Sequence, residues 1–379
     1  MPEMPANTVS GITLLRAIGW PYEGEPEDKA WQAVLAAHPH ARPARVVEQH
    51  RSGYIVADAP GVAVKADSLP EWQRPRFPAH ERPAVGDWLL MEGGGEPGSG
   101  GTRHRIVATL PRHTEIKRGA AGEHYHQQVI AANIDTVFIV CGLDADFNPR
   151  RIERYLLLVG GGGAQPVVVL TKADRTEYAD DAVDVLADVT AQGVPVFTVN
   201  AKDPESVSQL SPWLLPGRTV VLVGSSGAGK STLTNTLLGN EKMKTGEVRE
   251  SDSRGRHTTT YRALIPLPSG ACMIDTPGMR ELKPTGEEDL SEGGFADIEA
   301  LAAQCRFRDC SHDREPGCAV RAAIEREELD EGRFLNYLKL RDEVAAAADK
   351  LAGRLADKAN ARVQGKALNK RLTDKYGKR

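Results

Sequence analysis

The chain has 379 residues, 40% of them hydrophobic and 26% charged, with a formal net charge of −4. That length exceeds what one hydrophobic core organises, so about two to three domains are expected. No apolar run approaches the roughly 18 residues that span a bilayer, which excludes a helical membrane anchor. The N-terminus, MPEMPANTVSGITLLRAIGW, has no basic stretch ahead of a long apolar core, so it does not read as a secretory signal, and a cytoplasmic location is expected.

Residues 1–43 form an N-terminal extension with one helical piece, EDKAWQAVLAAH, in which Trp31, Val34 and Leu35 fall at helix-face spacing. From 44 to 112 the pattern changes to short alternating runs, VVEQH, GYIVAD, GVAVKA, VGDWLLME and RHRIVATL, separated by Gly and Pro. This predicts a small all-β domain, an OB-like barrel, with GGGEPGSGG at 93–101 as a flexible hairpin loop.

Residues 113–287 open with a connector and continue as apolar runs that alternate with helical patterns: DTVFIVCGL, RIERYLLLV, QPVVVLTKAD, DAVDVLADVTAQ and VPVFTVNAKD. Val- and Ile-rich runs of this kind predict a parallel sheet covered on both faces, hence an α/β domain. Residues 288–349 look helical around a cysteine cluster. The tail, 350–379, is basic, with ten Lys or Arg against Asp357 and Asp374, so nucleic acid is a candidate partner. Lys366, Lys370 and Arg371 are its expected phosphate contacts.

The central domain carries the chemistry. GSSGAGKS, Gly224 to Ser231, follows the strand run RTVVLVG and opens the helical run STLTNTLLG, which is the placement a phosphate-binding loop requires. Gly224, Gly227 and Gly229 let backbone amides turn towards phosphate oxygens, and Ser225, Ser226, Ala228 and Thr232 complete the loop. Lys230 is expected to reach the β- and γ-phosphates and Ser231 to ligate Mg2+. The second Mg2+ carboxylate is expected from Asp275 in DTPG, whose Gly278 offers an amide to the γ-phosphate. SRGRHTTTY, Ser253 to Tyr261, lies between the two motifs and is the candidate first switch loop.

Base selection points to guanine. TKAD, Thr171, Lys172, Ala173 and Asp174, follows the strand VVVL, and Asp174 can accept hydrogen bonds from guanine N1 and N2 while rejecting adenine. The next strand ends in VNAKD, where the backbone around Asn200 and Ala201 is placed to meet guanine O6. The ligands expected are therefore GTP and GDP with Mg2+.

Cys305, Cys310, His312 and Cys318 form C-x4-C-x-H-x5-C. Three thiolates and one imidazole fill a tetrahedral shell with no open position, so one structural Zn2+ is expected. Cys141 and Cys272 lie in apolar strand runs and are expected to be core thiols.

The order of these motifs is unusual. In Ras-like GTPases the phosphate loop comes first and the base motifs last, whereas here the base motifs at 171 and 200 precede the loop at 224, which is a circular permutation. With the β-rich domain, GRHTTT, DTPG and CRFRDCSHDREPGCAV, the chain over about 44–340 closely resembles the ribosome small-subunit-dependent GTPases of the RsgA, or YjeQ, family. The resemblance implies an OB domain, a permuted GTPase domain and a zinc domain that act in late maturation of the small (30S) subunit and bind its rRNA, with hydrolysis stimulated by the subunit. It assigns Thr259 to Mg2+ and the γ-phosphate, and His257 to the attacking water beside Lys230 and Thr259 in catalysis.

Three residues depart from the pattern. Met279 follows DTPG where Ras-like enzymes have a water-orienting Gln, Thr171 stands where NKxD has Asn, and Asn200-Ala201 replaces the usual Ser-Ala. The Asn of NKxD bonds guanine N7 and ties base loop to phosphate loop, and Thr171 is expected to keep only part of this network, with guanine preference preserved and affinity reduced. The competing reading is a GTP-dependent switch for a non-ribosomal protein. Nothing in the sequence calls for an obligate dimer, and a monomer is expected.

Overall fold

The computed structural model describes residues 9–50, 53–74, 77–93, 104–119, 127–239, 263–275 and 282–376. The described residues open with two short helices, α1 (Val9–Arg16) and α2 (Lys29–Ala37). Asp28 caps α2, its carboxylate accepting from the amides of Ala30 at 2.6 Å and Trp31 at 3.3 Å.

Five strands follow: β1 (Arg42–His50), β2 (Gly53–Ala59), β3 (Val62–Asp67), β4 (Trp88–Glu92) and β5 (His104–Thr109). They pair in the order β1-β2-β3-β5-β4, and β4 returns to β1, closing the expected barrel. Period-two alternation sorts the side chains. Leu89 and Met91 join Ala44, Val46, Tyr54, Val56 and Ile106 in one cluster, while Trp88 and Leu90 join Trp20 and Trp31 in another. Trp20 stacks edge-on to Trp88 at 4.8 Å and lies 5.1 Å from Trp31. The N-terminal extension is thus the outer cover of the barrel, a role its sequence does not declare. The 93–101 loop, apart from Gly93, lies outside the described residues.

The connector holds structure that its sequence did not predict, an antiparallel pair of β6 (Glu115–Gly119) and β7 (Gln127–Ala132). The α/β domain then runs β8 (Thr136–Gly142), α3 (Pro149–Gly160), β9 (Gln165–Thr171), α4 (Ala179–Asp184), α5 (Ala187–Ala191), β10 (Val196–Thr198), α6 (Pro204–Val207), β11 (Thr219–Val223), α7 (Lys230–Leu238), β12 (Ala263–Pro266) and β13 (Cys272–Asp275). The strand order is β10-β9-β8-β11-β13-β12, parallel except for β12. Val137, Ile139, Val168, Leu170, Val221 and Ile274 face Ile152, Tyr155 and Leu156 of α3. Phe138, Val140, Val167, Val169, Leu222 and Met273 face Val207, Leu210 and Leu233 on the other side. Cys141 and Cys272 are buried, and burial pushes both thiols up, Cys272 to about 11, as core thiols require.

Barrel and sheet are continuous, because β12 pairs with β1 at Glu48 and Ala263. One side chain binds the assembly from within. Arg45 is fully buried and donates to Ile18 O at 2.7 Å, Gly86 O at 3.1 Å, Asn133 O at 3.0 Å and Thr219 Oγ1 at 2.8 Å. Its guanidinium also lies 5.3 Å from the centre of the Trp88 ring. Extension, barrel, connector and β11 therefore meet at a single cation.

The C-terminal region contains α8 (Ala296–Ala302), α9 (Ala319–Glu325) and α10 (Glu331–Tyr376). Phe295, Ile298, Val320, Phe334, Tyr337 and Leu340 form its core, which includes Leu157 from α3. Asn336 Nδ2 donates to Glu153 at 2.7 Å and Arg154 pairs with Glu343 at 2.6 Å, so the helical region is fastened to α3 by polar contacts as well. Helix α10 crosses residue 350 without a break, making the basic tail the distal half of that helix. Among the described residues no helix is long and apolar enough to cross a membrane.

Candidate nucleotide site and metal centre

The five parallel strands place their C-terminal ends along one edge, where ligands of open α/β sheets bind. On that edge lie Gly142 after β8, Thr171 at the end of β9, Asn200 after β10, Gly224 after β11 and Asp275 at the end of β13. The permuted chain order therefore converges in space, and the described motif residues share one rim.

The phosphate loop needs its glycines for space. A Cβ on Gly224, at φ +147°, would sit 2.2 Å from Val140 O, and one on Gly229, at φ +92°, would sit 2.9 Å from Thr171 Oγ1. The loop closes around Lys230, whose Nζ donates to Gly224 O at 2.7 Å and to Ser225 O. Ser231 lies in the first turn of α7. Burial pushes the Asp275 carboxyl above the usual aspartate range, and the Lys230 cation pulls it back. Ser231 and Asp275 are the described residues suited to a hard divalent cation.

Thr171 keeps the tie between the two loops. It is buried, and its hydroxyl donates to Ala228 O of the phosphate loop at 2.6 Å, so the threonine itself fastens base loop to phosphate loop. A second threonine repeats the device, Thr236 Oγ1 of α7 donating to Ala201 O at 2.6 Å. Both base loops are thereby hydrogen-bonded to the loop-helix unit. The Asn200 amide donates to Ser206 Oγ at 2.9 Å and its Oδ1 accepts from Lys202 N at 3.1 Å, which fixes that turn. Lys172 adopts φ +63° and Asp174 stands exposed on the rim. Replacing Thr171 with Val should cost about 1–3 kcal/mol by leaving the Ala228 carbonyl unpaired. A lower melting temperature together with weaker GDP binding would show it; equal values would mean that the bond contributes nothing.

Two residues on the rim carry no motif and were missed. Asp144 and Asp146 lie in the loop after β8; Asp144 pairs with Lys172, while Asp146 accepts from the Ser225 hydroxyl and pairs with Arg151 of α3. The available signal was position alone, a carboxylate-bearing loop at the end of a strand beside the phosphate-loop strand. His257, Thr259, Gly278, Met279 and the candidate switch segment 253–261 lie outside the described residues.

In the C-terminal region Cys305, Cys310, His312 and Cys318 bring their donor atoms within 4.8 Å of one another. Zinc bond lengths in a tetrahedron imply edges of about 3.8 Å between sulfurs and about 3.5 Å between sulfur and nitrogen. The separations are 3.9 Å for Cys305–Cys318, 3.6 Å for Cys305–His312 and 3.4 Å for His312–Cys318, so these three donors match zinc edges, and Cys310, within 4.8 Å of them, supplies the fourth donor of the right chemistry. The loop is held from below by Glu315. Hydrogen bonds from the Ser311 hydroxyl and amide and from nearby amides hold its carboxyl down at about 2.

Comparison with known proteins agrees with this geometry. Residues 109–285 match the family described as RsgA GTPase. The chain is 73% identical over 374 residues to the small ribosomal subunit biogenesis GTPase RsgA of Xanthomonas campestris pv. campestris, covering 99% of this chain and 100% of that protein. It is 75% identical over 361 residues to the protein of the same name from Xanthomonas axonopodis pv. citri, covering 95% and 97%. The crystal structure of YjeQ from Thermotoga maritima superposes with a TM-score of 0.58 at 25% identity, covering 80% of this chain and 98% of that one. YloQ, a circularly permuted GTPase, superposes at 0.56 with 22% identity over 83% and 97%, a likeness of fold.

Proposed function

The chain belongs to the RsgA GTPase family and is a GTP hydrolase, and on that premise we propose that it works on the small ribosomal subunit late in maturation, bound to rRNA and stimulated by the subunit. The observation that carries this reading is the convergence of TKAD, VNAK, the phosphate loop and Asp275 on one sheet edge, in a chain whose sheet continues into a barrel and whose helical region carries a cysteine-histidine cluster. A nucleotide clamp fused to two recognition modules suits a timing switch on a large partner better than a free-standing hydrolase.

In this reading the phosphate-loop amides and Lys230 hold the β- and γ-phosphates, and Asp174 selects guanine through its N1 and N2 hydrogens. Ser231 and Asp275, with Thr259 from the switch, would hold Mg2+, which neutralises charge on the phosphates when bound. The Asn200-Ala201 backbone borders the base. His257 positions the attacking water in place of the Gln that Ras-like enzymes carry, since an imidazole can accept a proton near neutral pH. One Zn2+ in the cysteine-histidine cluster is structural. The distal basic half of α10 adds sequence-independent attraction to rRNA phosphates. The protein acts as a cytoplasmic monomer.

The test is the initial rate of GTP hydrolysis with and without small subunits at one moderate salt concentration. Stimulation is expected, and His257→Ala should lose most of it, about 10²–10⁴-fold if the residue acts in proton transfer, while GDP affinity holds. A purified protein that binds GTP and zinc but ignores the subunit would transfer the switch role to a protein partner. An H257A variant with full stimulated turnover would place the water-orienting group elsewhere.

A further inference from the structure

The outer side of the metal loop carries an aromatic ring that the core does not use. Phe307 lies between the ligands Cys305 and Cys310 and is 42% exposed, whereas Phe295 and Phe334 of the same region are buried. It is flanked in sequence by Arg306 and Arg308, both exposed, and the Arg306 guanidinium lies 5.6 Å from the ring centre. The ring does not stand on a loose loop. Both flanking cysteines belong to the metal cluster, Arg306 N donates to Gly317 O at 3.1 Å, and Cys310 N donates to Phe307 O at 3.3 Å. Nearby acidic charge is partly withdrawn, because Glu315 is turned onto Ser311 and the amides of Asp313 and Arg314, which leaves Asp309 as the exposed carboxylate adjoining the triplet.

An exposed aromatic ring with one guanidinium beside it and a second exposed arginine next in sequence, on a hydrogen-bonded loop, matches one ligand chemistry: a flat base joined to a phosphate. We propose that Arg306, Phe307 and Arg308 form a stacking platform for an unpaired base of a single-stranded RNA segment, the ring meeting the base and the arginines its flanking phosphates. The proposal rests on the ribosomal reading for the source of the strand. A duplex cannot use the ring without unstacking a base, so the platform favours loops, bulges and ends.

Zinc-loaded full-length protein is titrated with a labelled ten-nucleotide uridine strand, a blunt RNA duplex and small ribosomal subunits at several salt concentrations. Phe307→Ala should weaken binding of the strand and the subunits by about 5- to 150-fold, the range of one missing base-aromatic stack, with an unchanged salt slope. Phe307→Trp should bind like the parent. Replacing both arginines with Gln should instead flatten the slope, by about 0.7 for each phosphate of a single strand that is no longer neutralised. Zinc content and helicity of each variant confirm that it has folded. Full affinity of F307A for the strand overturns the platform, and so does a Phe307→Leu variant that matches Trp, since that outcome means an apolar protein contact. Failure of the parent to bind subunits defeats the ribosomal reading instead, and the strand titration still decides the platform.

Discussion

Replacing Lys230 with alanine should lower GTP turnover by about 10²–10³-fold, the usual loss when one preorganised donor to a developing charge is removed. The ammonium is enclosed by its own loop, donating to the carbonyls of Gly224 and Ser225, and is the cation that opposes the burial of Asp275. Its loss therefore acts twice. The phosphates lose a charged donor, and the Asp275 carboxyl loses the cation that offsets its burial, which raises its proton affinity further and weakens any divalent cation it holds. Phosphate release should fall sharply, and the Mg2+ concentration for half-maximal GDP binding should rise. Turnover that survived the substitution would mean that hydrolysis occurs at another site.

Cys318→Ser separates metal binding from helix capping. Cys318 Sγ accepts from the Arg321 amide at 3.4 Å at the start of α9, and serine is a favoured residue for that cap. Serine is a poor zinc ligand, so the variant should keep the cap and lose the metal. Zinc sites in small domains bind with roughly 10–16 kcal/mol, comparable to the total stability of a domain, so the loop between α8 and α9 should open. Zinc below half an equivalent and rapid proteolysis within residues 303–318 are the expected readings. GDP affinity should hold, because the nucleotide rim is built from other elements. Full zinc occupancy in C318S would remove Cys318 from the ligand set.

These predictions draw on features that were unequally visible in the sequence. The phosphate loop, TKAD, DTPG and the cysteine cluster could be read because their chemistry demands particular residues at fixed spacing. The barrel strands could be read because burial on one face imposes alternation. The β6–β7 pair was not legible, since EIKRG and QQVIAA lack a sustained alternation and are separated by a polar, glycine-containing stretch. The docking of the N-terminal extension was hidden for another reason. It depends on Trp20, Trp31 and Arg45 meeting groups remote in sequence, and no local pattern encodes such contacts. Thr171 could be read as a partial stand-in for Asn, but not which part it keeps: its hydroxyl reaches the loop carbonyl of Ala228.

Helix α3 starts beside Asp146, which bonds the phosphate loop through Ser225, and along its length it is gripped by the helical region through Leu157, Glu153 and Arg154. At 1.5 Å per residue, the 46 residues of α10 span about 69 Å. Its polar contacts with α3, at Asn336 and Glu343, lie near its start, so about 33 residues, or about 50 Å, project beyond them towards the basic end. A rotation of about 5° about those contacts would sweep the far tip through about 4 Å. Any small change in the tilt of α10 on α3 would therefore be magnified at its basic end.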